Sequence, residues 1–237
     1  MKIYDDIISS ELSLLEGLPF QNLVVPKTVW PDDGNNGIVL RTDMAYELGG
    51  GTMAAIAGQT ITQRLDLVEQ DEILLYGKDL PEIMKDTPYA RIALLRVKQE
   101  AFLEEDKLYA TIRQMEYTRY HINPHGFMTR ISASNQREPA RVSRTAIEQG
   151  LDFAKVGGLY MEQYHRHSLI DAVKVIFITI PDFDYEGLKQ QIQKTEKITQ
   201  ALDHMLKDFK MDCASCNLKA VCDEVEGMRE LHFGKIN

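Results

Sequence analysis

The segment Asp171-Ala172-Val173-Lys174-Val175-Ile176-Phe177-Ile178-Thr179-Ile180 is the clearest β-strand in the sequence, and Pro181 ends it. Its β-branched and aromatic residues favour strands, and so dense an apolar run is typical of a buried one. Shorter runs of the same kind predict further strands at residues 38–48, 72–76, 90–97 and 126–133. The clearest strand therefore has several candidate partners elsewhere in the chain.

Helical periodicity is found between these strands. It predicts helices at residues 3–16, 104–122 and 184–210, and one that Pro139 opens with Ile147, Leu151 and Ala154 on one face. We predict an α+β fold: a single mixed sheet packed by about three main helices, with a C-terminal metal-binding loop. The expected organisation is an N-terminal helix and irregular arm (1–37), an α+β domain (38–210) and a cysteine-rich metal-binding tail (211–237).

The glycine run Gly49-Gly50-Gly51 loosely fits a dinucleotide-binding fingerprint when it is read with Ala54. That fingerprint requires a helix directly after the glycines, and Gly58, Thr60 and Ile61 make a poor one. We therefore expect a tight glycine turn instead.

The last predicted helix leads into all three cysteines of the chain. Cys213, Cys216 and Cys222 fall within ten consecutive positions, and His232 completes a C-x2-C-x5-C-x9-H array. A C-x2-C turn brings two thiolates close enough to share a metal, and a third thiolate closes another side of the site. The tail is therefore a candidate metal site with these four residues as ligands.

The ligand types leave the metal open. Three thiolates and an imidazole suit a closed Cys3His zinc site, or a [4Fe–4S] cluster whose fourth iron is bound by His232, an outside ligand or nothing. The five-residue loop before Cys222 favours the bulkier cluster. The remaining interpretations are a disulfide with one spare thiol or three free cysteines. The odd number of cysteines and an intracellular character argue against the disulfide.

Composition excludes two classes of partner. The formal net charge is −9 and the isoelectric point is near 5.2, so we expect no nucleic-acid binding, which needs a basic surface. The longest apolar runs have the length of strands, so we expect no membrane span. The first six residues carry two aspartates where a secretion signal needs positive charge, so a cytoplasmic location is expected.

Arginines gather in the middle of the chain. Arg130 lies on a predicted strand, and Arg137, Arg141 and Arg144 follow at helical spacing on the helix expected from Pro139. Guanidinium groups near the start of a helix suit phosphate groups, so these four residues are candidate ligands for a small anion. The alternative is a solvated face paired with acids such as Glu138 and Glu148.

Four stretches of the chain resemble a known family. They are Tyr46-Glu47-Leu48-Gly49-Gly50, Ile73-Leu74-Leu75-Tyr76-Gly77-Lys78-Asp79-Leu80, His121-Ile122-Asn123 and Phe127-Met128-Thr129-Arg130-Ile131-Ser132. Their order is similar to that in the acetyl-CoA synthase subunit of the carbon monoxide dehydrogenase/acetyl-CoA synthase complex, over about residues 40–232. The resemblance implies an α+β domain that leads into a [4Fe–4S] cluster. It places Cys213, Cys216 and Cys222 at the first three cluster ligands, with His232 near the fourth.

The chain also departs from that family. The family's nickel pair is bound by a later Cys-Gly-Cys, and no cysteine follows Cys222 in this sequence. The resemblance associates the arginines with coenzyme A, although the tryptophan expected among them is missing.

The function implied is an accessory, electron-transfer or small-ligand-binding iron–sulfur component of anaerobic one-carbon metabolism without the nickel site. A corrinoid or carbon monoxide dehydrogenase-type protein is the expected partner. The alternatives are a zinc-stapled binding module and an acyl- or methyl-transfer enzyme completed by a partner subunit.

Overall fold

Eight strands form two sheets within the residues that the computed structural model describes, which are 2–102, 105–131, 137–206 and 220–221. The strands are β1 (Gln21–Leu23), β2 (Met44–Leu48), β3 (Ala55–Thr62), β4 (Glu72–Tyr76), β5 (Tyr89–Val97), β6 (Phe127–Thr129), β7 (Ala140–Ser143) and β8 (Ile170–Ile178). The same residues contain helices α1 (Lys2–Ser13), α2 (Glu105–Tyr120), α3 (Arg144–Glu148), α4 (Phe153–His165) and α5 (Tyr185–Leu206). The α+β class predicted from the sequence is confirmed.

The larger sheet has the order β1-β4-β8-β5-β3, with the clearest predicted strand at its centre. Strand β8 runs parallel to β4 and antiparallel to β5. Its residues alternate between two hydrophobic clusters: Val175 and Phe177 belong to one, Ile176 and Ile178 to the other. Because side chains of a strand alternate between the two faces of its sheet, both faces of β8 are buried. This explains why its apolar run is almost unbroken.

Helices cover both faces. Helix α4 contributes Phe153, Val156 and Leu159 to the first cluster, whereas Ile8 of α1 and Leu188 of α5 belong to the second. Helix α1 packs closely on α5 and β3: Thr62 Oγ1 donates a hydrogen bond of 2.6 Å to Asp5 Oδ1. The N-terminal helix is thus part of the core, while the predicted division of the chain at residues 37 and 210 remains a prediction.

A second sheet has the order β2-β7-β6 and is antiparallel throughout. The sequence predicts a helix from Pro139 here, and that prediction is wrong for residues 140–143, which form β7. Ala140 and Val142 are fully buried, two residues apart, against β2 and β6. The helix begins only at Arg144, where Ser143 Oγ accepts a hydrogen bond of 3.0 Å from the Ala146 amide.

Candidate functional site

The predicted metal ligands Cys213, Cys216, Cys222 and His232 lie outside the described residues, so the metal site remains a prediction. Within the described residues there is no group of three or more His, Cys, Asp or Glu side chains that could hold a metal ion. The predicted donors are sulfur and imidazole, which suit iron–sulfur or zinc binding by their chemistry.

Three of the four predicted anion-binding arginines, Arg137, Arg141 and Arg144, were expected on one helix face, and that prediction is wrong because residues 140–143 form a strand. Arg137 Nη2 donates to the carbonyl oxygens of Gly49, at 2.6 Å, and Met53, at 2.7 Å. It therefore holds the turn between β2 and β3. This turn has positive φ at Gly49 and Gly51 and is followed by a strand, as the analysis of the glycine run predicts.

Two other arginines meet at one carboxylate. Arg130 forms an ion pair with Glu47 Oε1, and Arg141 Nε lies 3.7 Å from the same oxygen. Arg144, the first residue of α3, has an exposed side chain. The structure thus brings Arg130 and Arg141 together at Glu47. A second carboxylate lies close by, since Asp86 Oδ1 accepts a hydrogen bond of 2.7 Å from the Glu47 amide.

Nearby, a buried charge network joins β5, α2 and the start of the β7 segment. Glu138 accepts from Arg91 Nη2 through Oε2, at 3.0 Å, and from Arg119 through Oε1. Arg91 also donates to the Tyr160 hydroxyl. All three charged side chains are at most 8% exposed. Two guanidinium groups and one carboxylate leave this interior network with a net positive charge.

Burial lowers the pKa of Arg91, whereas the neighbouring Tyr160, Tyr89 and Glu138 raise that pKa. The resulting pKa lies above the usual value of arginine. Arg119 shows the same balance, with Glu138 raising its pKa against the effect of burial. Both side chains therefore remain charged. This network was not predicted from the sequence, although one signal points to it: Arg91 interrupts an apolar strand.

The network closes the outer edge of β3. The Glu138 amide donates to the Ala55 carbonyl oxygen at 2.9 Å, and Arg119 Nη2 donates to that of Ala57 at 2.7 Å. These contacts occupy backbone acceptors that an edge strand otherwise presents to solvent.

A cleft of about 500 Å³ opens beside this edge, between β3, α2 and α5. Its walls mix apolar with charged side chains, the charged ones being Glu116, Arg119, Arg137, Glu138, Lys189 and Glu196. Burial raises the pKa of Glu196 above its usual value. Such a lining suits a small molecule that has both an apolar part and charged groups.

Comparison with known families shows that the sequence model described as "CO dehydrogenase/acetyl-CoA synthase complex beta subunit" matches residues 34–183. A comparison with curated proteins gave no match. In the described part of the chain, each helix is too short or too polar to cross a membrane. The matched range ends before the cysteine array.

Proposed function

Because the chain belongs to the family of CO dehydrogenase/acetyl-CoA synthase complex beta subunits, we propose that it is an iron–sulfur protein of acetyl-CoA synthase-related one-carbon metabolism. Its role is that of an accessory component that transfers electrons or binds a small ligand. Cys213, Cys216 and Cys222 bind a [4Fe–4S] cluster, and His232 or an outside group binds the fourth iron. The observation that carries the proposal is this cysteine spacing in a chain of this family.

The chemistry of the donors supports the proposal. Thiolates are the usual ligands of [4Fe–4S] clusters, and a cluster bound by three cysteines supplies one-electron exchange and one iron open to another ligand. The chain's own part is to provide the three thiolates and to hold them at one point. The matched family range, residues 34–183, supports placing them in this metabolic setting.

Metal counting tests the proposal. Anaerobically purified protein should contain about four iron and four sulfide per chain, as a [4Fe–4S] cluster requires. Replacement of any one cysteine by serine should lower the iron content, because serine supplies no thiolate. Ser215→Ala, which changes a residue between two of the cysteines, is the matched control and should leave iron unchanged.

Three outcomes would overturn the proposal. Equimolar zinc in a colourless protein would indicate the zinc-stapled binding module. Protein without metal would leave three free cysteines. Bound nickel would contradict an accessory role, since the family's Cys-Gly-Cys nickel ligands are not among these 237 residues.

We extend the proposal to a small anion, coenzyme A included, at the surface formed by Arg130, Arg137, Arg141 and Arg144. The meeting of Arg130 and Arg141 at Glu47 and the exposed side chain of Arg144 support this site. Arg144→Gln should weaken binding of coenzyme A in calorimetric titration. Arg166→Gln, which changes an exposed arginine at the end of α4, should not. Equal binding by both variants would remove the proposed site.

The partner is, by the same proposal, a corrinoid or carbon monoxide dehydrogenase-type protein that exchanges electrons or a one-carbon group with this chain. Anaerobic mixing with purified proteins of both types, followed by gel filtration, tests it. A stable complex with a subunit that carries a Cys-Gly-Cys site would instead favour an acyl- or methyl-transfer enzyme completed by that subunit. Elution as separate species with every protein tested would remove the proposed partnership.

A further inference from the structure

The cleft of about 500 Å³ between β3, α2 and α5, here called the β3 cleft, has more hydrogen-bond donors than acceptors in one wall. Arg119 lines this wall, and its side chain is only 8% exposed. Its Nη2 donates to Glu138 and to the Ala57 carbonyl oxygen, but its Nε has no hydrogen-bond partner among the described residues. Because an unpaired buried donor is costly, the wall favours an occupant that brings acceptors.

A second guanidinium group in the β3 cleft is held in place by the backbone. Arg137 lines the cleft, and its Nη2 donates to the carbonyl oxygens of Gly49, at 2.6 Å, and Met53, at 2.7 Å. Both acceptors are neutral, and Arg137 forms no ion pair with a carboxylate of the described residues. It therefore keeps its full charge and its other N–H groups for a ligand. The planar fork of a guanidinium group matches the two oxygens of a carboxylate.

The carboxyl groups of the β3 cleft attract a cation less than their number suggests. Glu138 is compensated by two guanidinium groups, and Glu116 Oε2 accepts a hydrogen bond of 3.0 Å from Arg113 Nη1. Burial raises the pKa of Glu196, which makes its charged form less favourable. From α5, Lys189 adds a further positive charge to the lining. This lining therefore offers more to an anion than to a cation.

Apolar side chains form the rest of the β3 cleft. Ile56 of β3 and Ile192 of α5 are buried, whereas Tyr120 of α2 and Ile131 are exposed. A volume of about 500 Å³ lies within the range of ordinary small-molecule sites, so an apolar chain or ring has room beside a charged group. The cleft is thus suited to an acid with an apolar body.

We propose that the β3 cleft binds a small monocarboxylate with an apolar chain or ring. Arg137 binds the carboxylate beside the buried charge of Arg119, and the apolar body packs on Ile56, Ile192 and Tyr120. The inference goes beyond the proposed function and does not rest on it. The described lining contains no cysteine, and Arg137 is the one member of the proposed coenzyme A surface within it.

A matched series of probes tests the class of ligand. Hexanoate, hexanol and hexylammonium have chains of the same length and differ in the charge of the end group. Each is titrated into the full-length chain near neutral pH and followed by ligand-observed NMR. Hexanoate should bind saturably and at least about tenfold more tightly than the other two, because hydrogen bonds to a charged group are worth that much. Equal or tighter binding of hexanol or hexylammonium, or no saturable binding of hexanoate, would overturn the proposal.

A pair of bulky substitutions tests the location. Gln200→Trp changes an exposed residue of α5 that lines the β3 cleft, and it should abolish saturable binding of hexanoate. Gln190→Trp is the matched control, since Gln190 is exposed on the same helix and outside the described lining. It should bind hexanoate like the unchanged chain. Equal binding by the two variants would show that hexanoate binds elsewhere, and would overturn the site.

A pair of arginine substitutions tests the carboxylate contact. Arg137→Gln should weaken hexanoate binding about tenfold and leave the weak binding of hexanol almost unchanged, because only hexanoate uses the positive charge. Arg166→Gln, at the exposed end of α4, should leave both unchanged. Equal losses for hexanoate and hexanol in Arg137→Gln would show that Arg137 shapes the cleft without binding the carboxylate, and would overturn its assigned role.

Discussion

At the scale of single residues, Glu138 is the carboxylate that compensates two buried guanidinium groups. Removing one partner of a buried ion pair is costly because the remaining charge is left uncompensated in a medium of low polarity. Glu138→Gln should therefore lower the free energy of unfolding by about 3–5 kcal/mol, as measured by urea denaturation. Asp66→Asn, in the exposed pair with Arg64, should leave it almost unchanged. Similar losses for both variants would show that Glu138 is not what compensates Arg91 and Arg119.

Glu11 differs from Glu138, because it is a buried carboxyl whose two oxygens have no hydrogen-bond partner among the described residues. We therefore expect its replacement to have a different effect on stability. Burial raises its pKa from 4.5 to about 8. Between about pH 5 and pH 8 the folded chain holds this proton and the unfolded chain has lost it. Folding takes up a proton in that window, so stability falls as pH rises through it.

Glu11→Met should therefore flatten the loss of stability between pH 5 and pH 8, as measured by thermal unfolding at several pH values. The upper bound on the effect is about 5 kcal/mol, and local opening of α1 would reduce it. Glu16→Met changes an exposed carboxyl three residues after the end of α1 and should leave the pH profile as it is. Parallel profiles for Glu11→Met and the unchanged chain would contradict the prediction.

At the scale of elements, the turn between β2 and β3 depends on Gly49 more than on Gly51. Both have positive φ, but a Cβ at Gly49 would lie 2.2 Å from Ala55 Cβ, whereas a Cβ at Gly51 would meet no atom within 4 Å. Gly51→Ala should cost only the backbone strain, about 1–2 kcal/mol. Gly49→Ala should cost about 1–3 kcal/mol more, because the clash adds to that strain. Urea unfolding of the two variants measures the difference, and equal losses would show that the turn shifts to accept the methyl group.

The elements also show how far local sequence determines this fold. Strand β8 and helix α5 are predictable because their own residues carry the periodicity of the element and its buried apolar side chains. Strand β7 is not, because Ala140 and Val142 are buried by β2 and β6, which are distant in the chain. Arg137, Arg141 and Arg144 have helical spacing in sequence, yet strand pairing overrides it. The contact of Glu138 with Arg91 spans 47 residues, and only the fold brings the two together.

At the scale of the whole molecule, we expect the cysteine array and the core to fold as one unit. The sequence alone places the three thiolates near one another, since they fall within ten positions. It does not say which surface they face, because that depends on contacts between residues distant in the chain. The packing of Val221 against the core makes coupling between the two the natural expectation.

Coupling between metal and core has a thermodynamic signature. A ligand stabilises a fold only if it binds the folded chain better than the unfolded one, and a hundredfold excess over the dissociation constant then contributes about 2.7 kcal/mol. For a chain of this size, that corresponds to a rise in melting temperature of about 5–10 °C. We expect a shift of this size when cobalt(II) is added to the metal-free chain, as measured by calorimetry of the core transition.

The shift should disappear in Cys216→Ser, which loses a ligand, and it should persist in Ser215→Ala, which keeps all three thiolates. Comparing the two variants separates binding by the thiolates from a general effect of cobalt, because metal that binds folded and unfolded chains equally well leaves the core transition where it was. A full shift in Cys216→Ser would show that cobalt stabilises the core from a site other than the thiolates. In that case the cysteine array would not be the link between metal and fold.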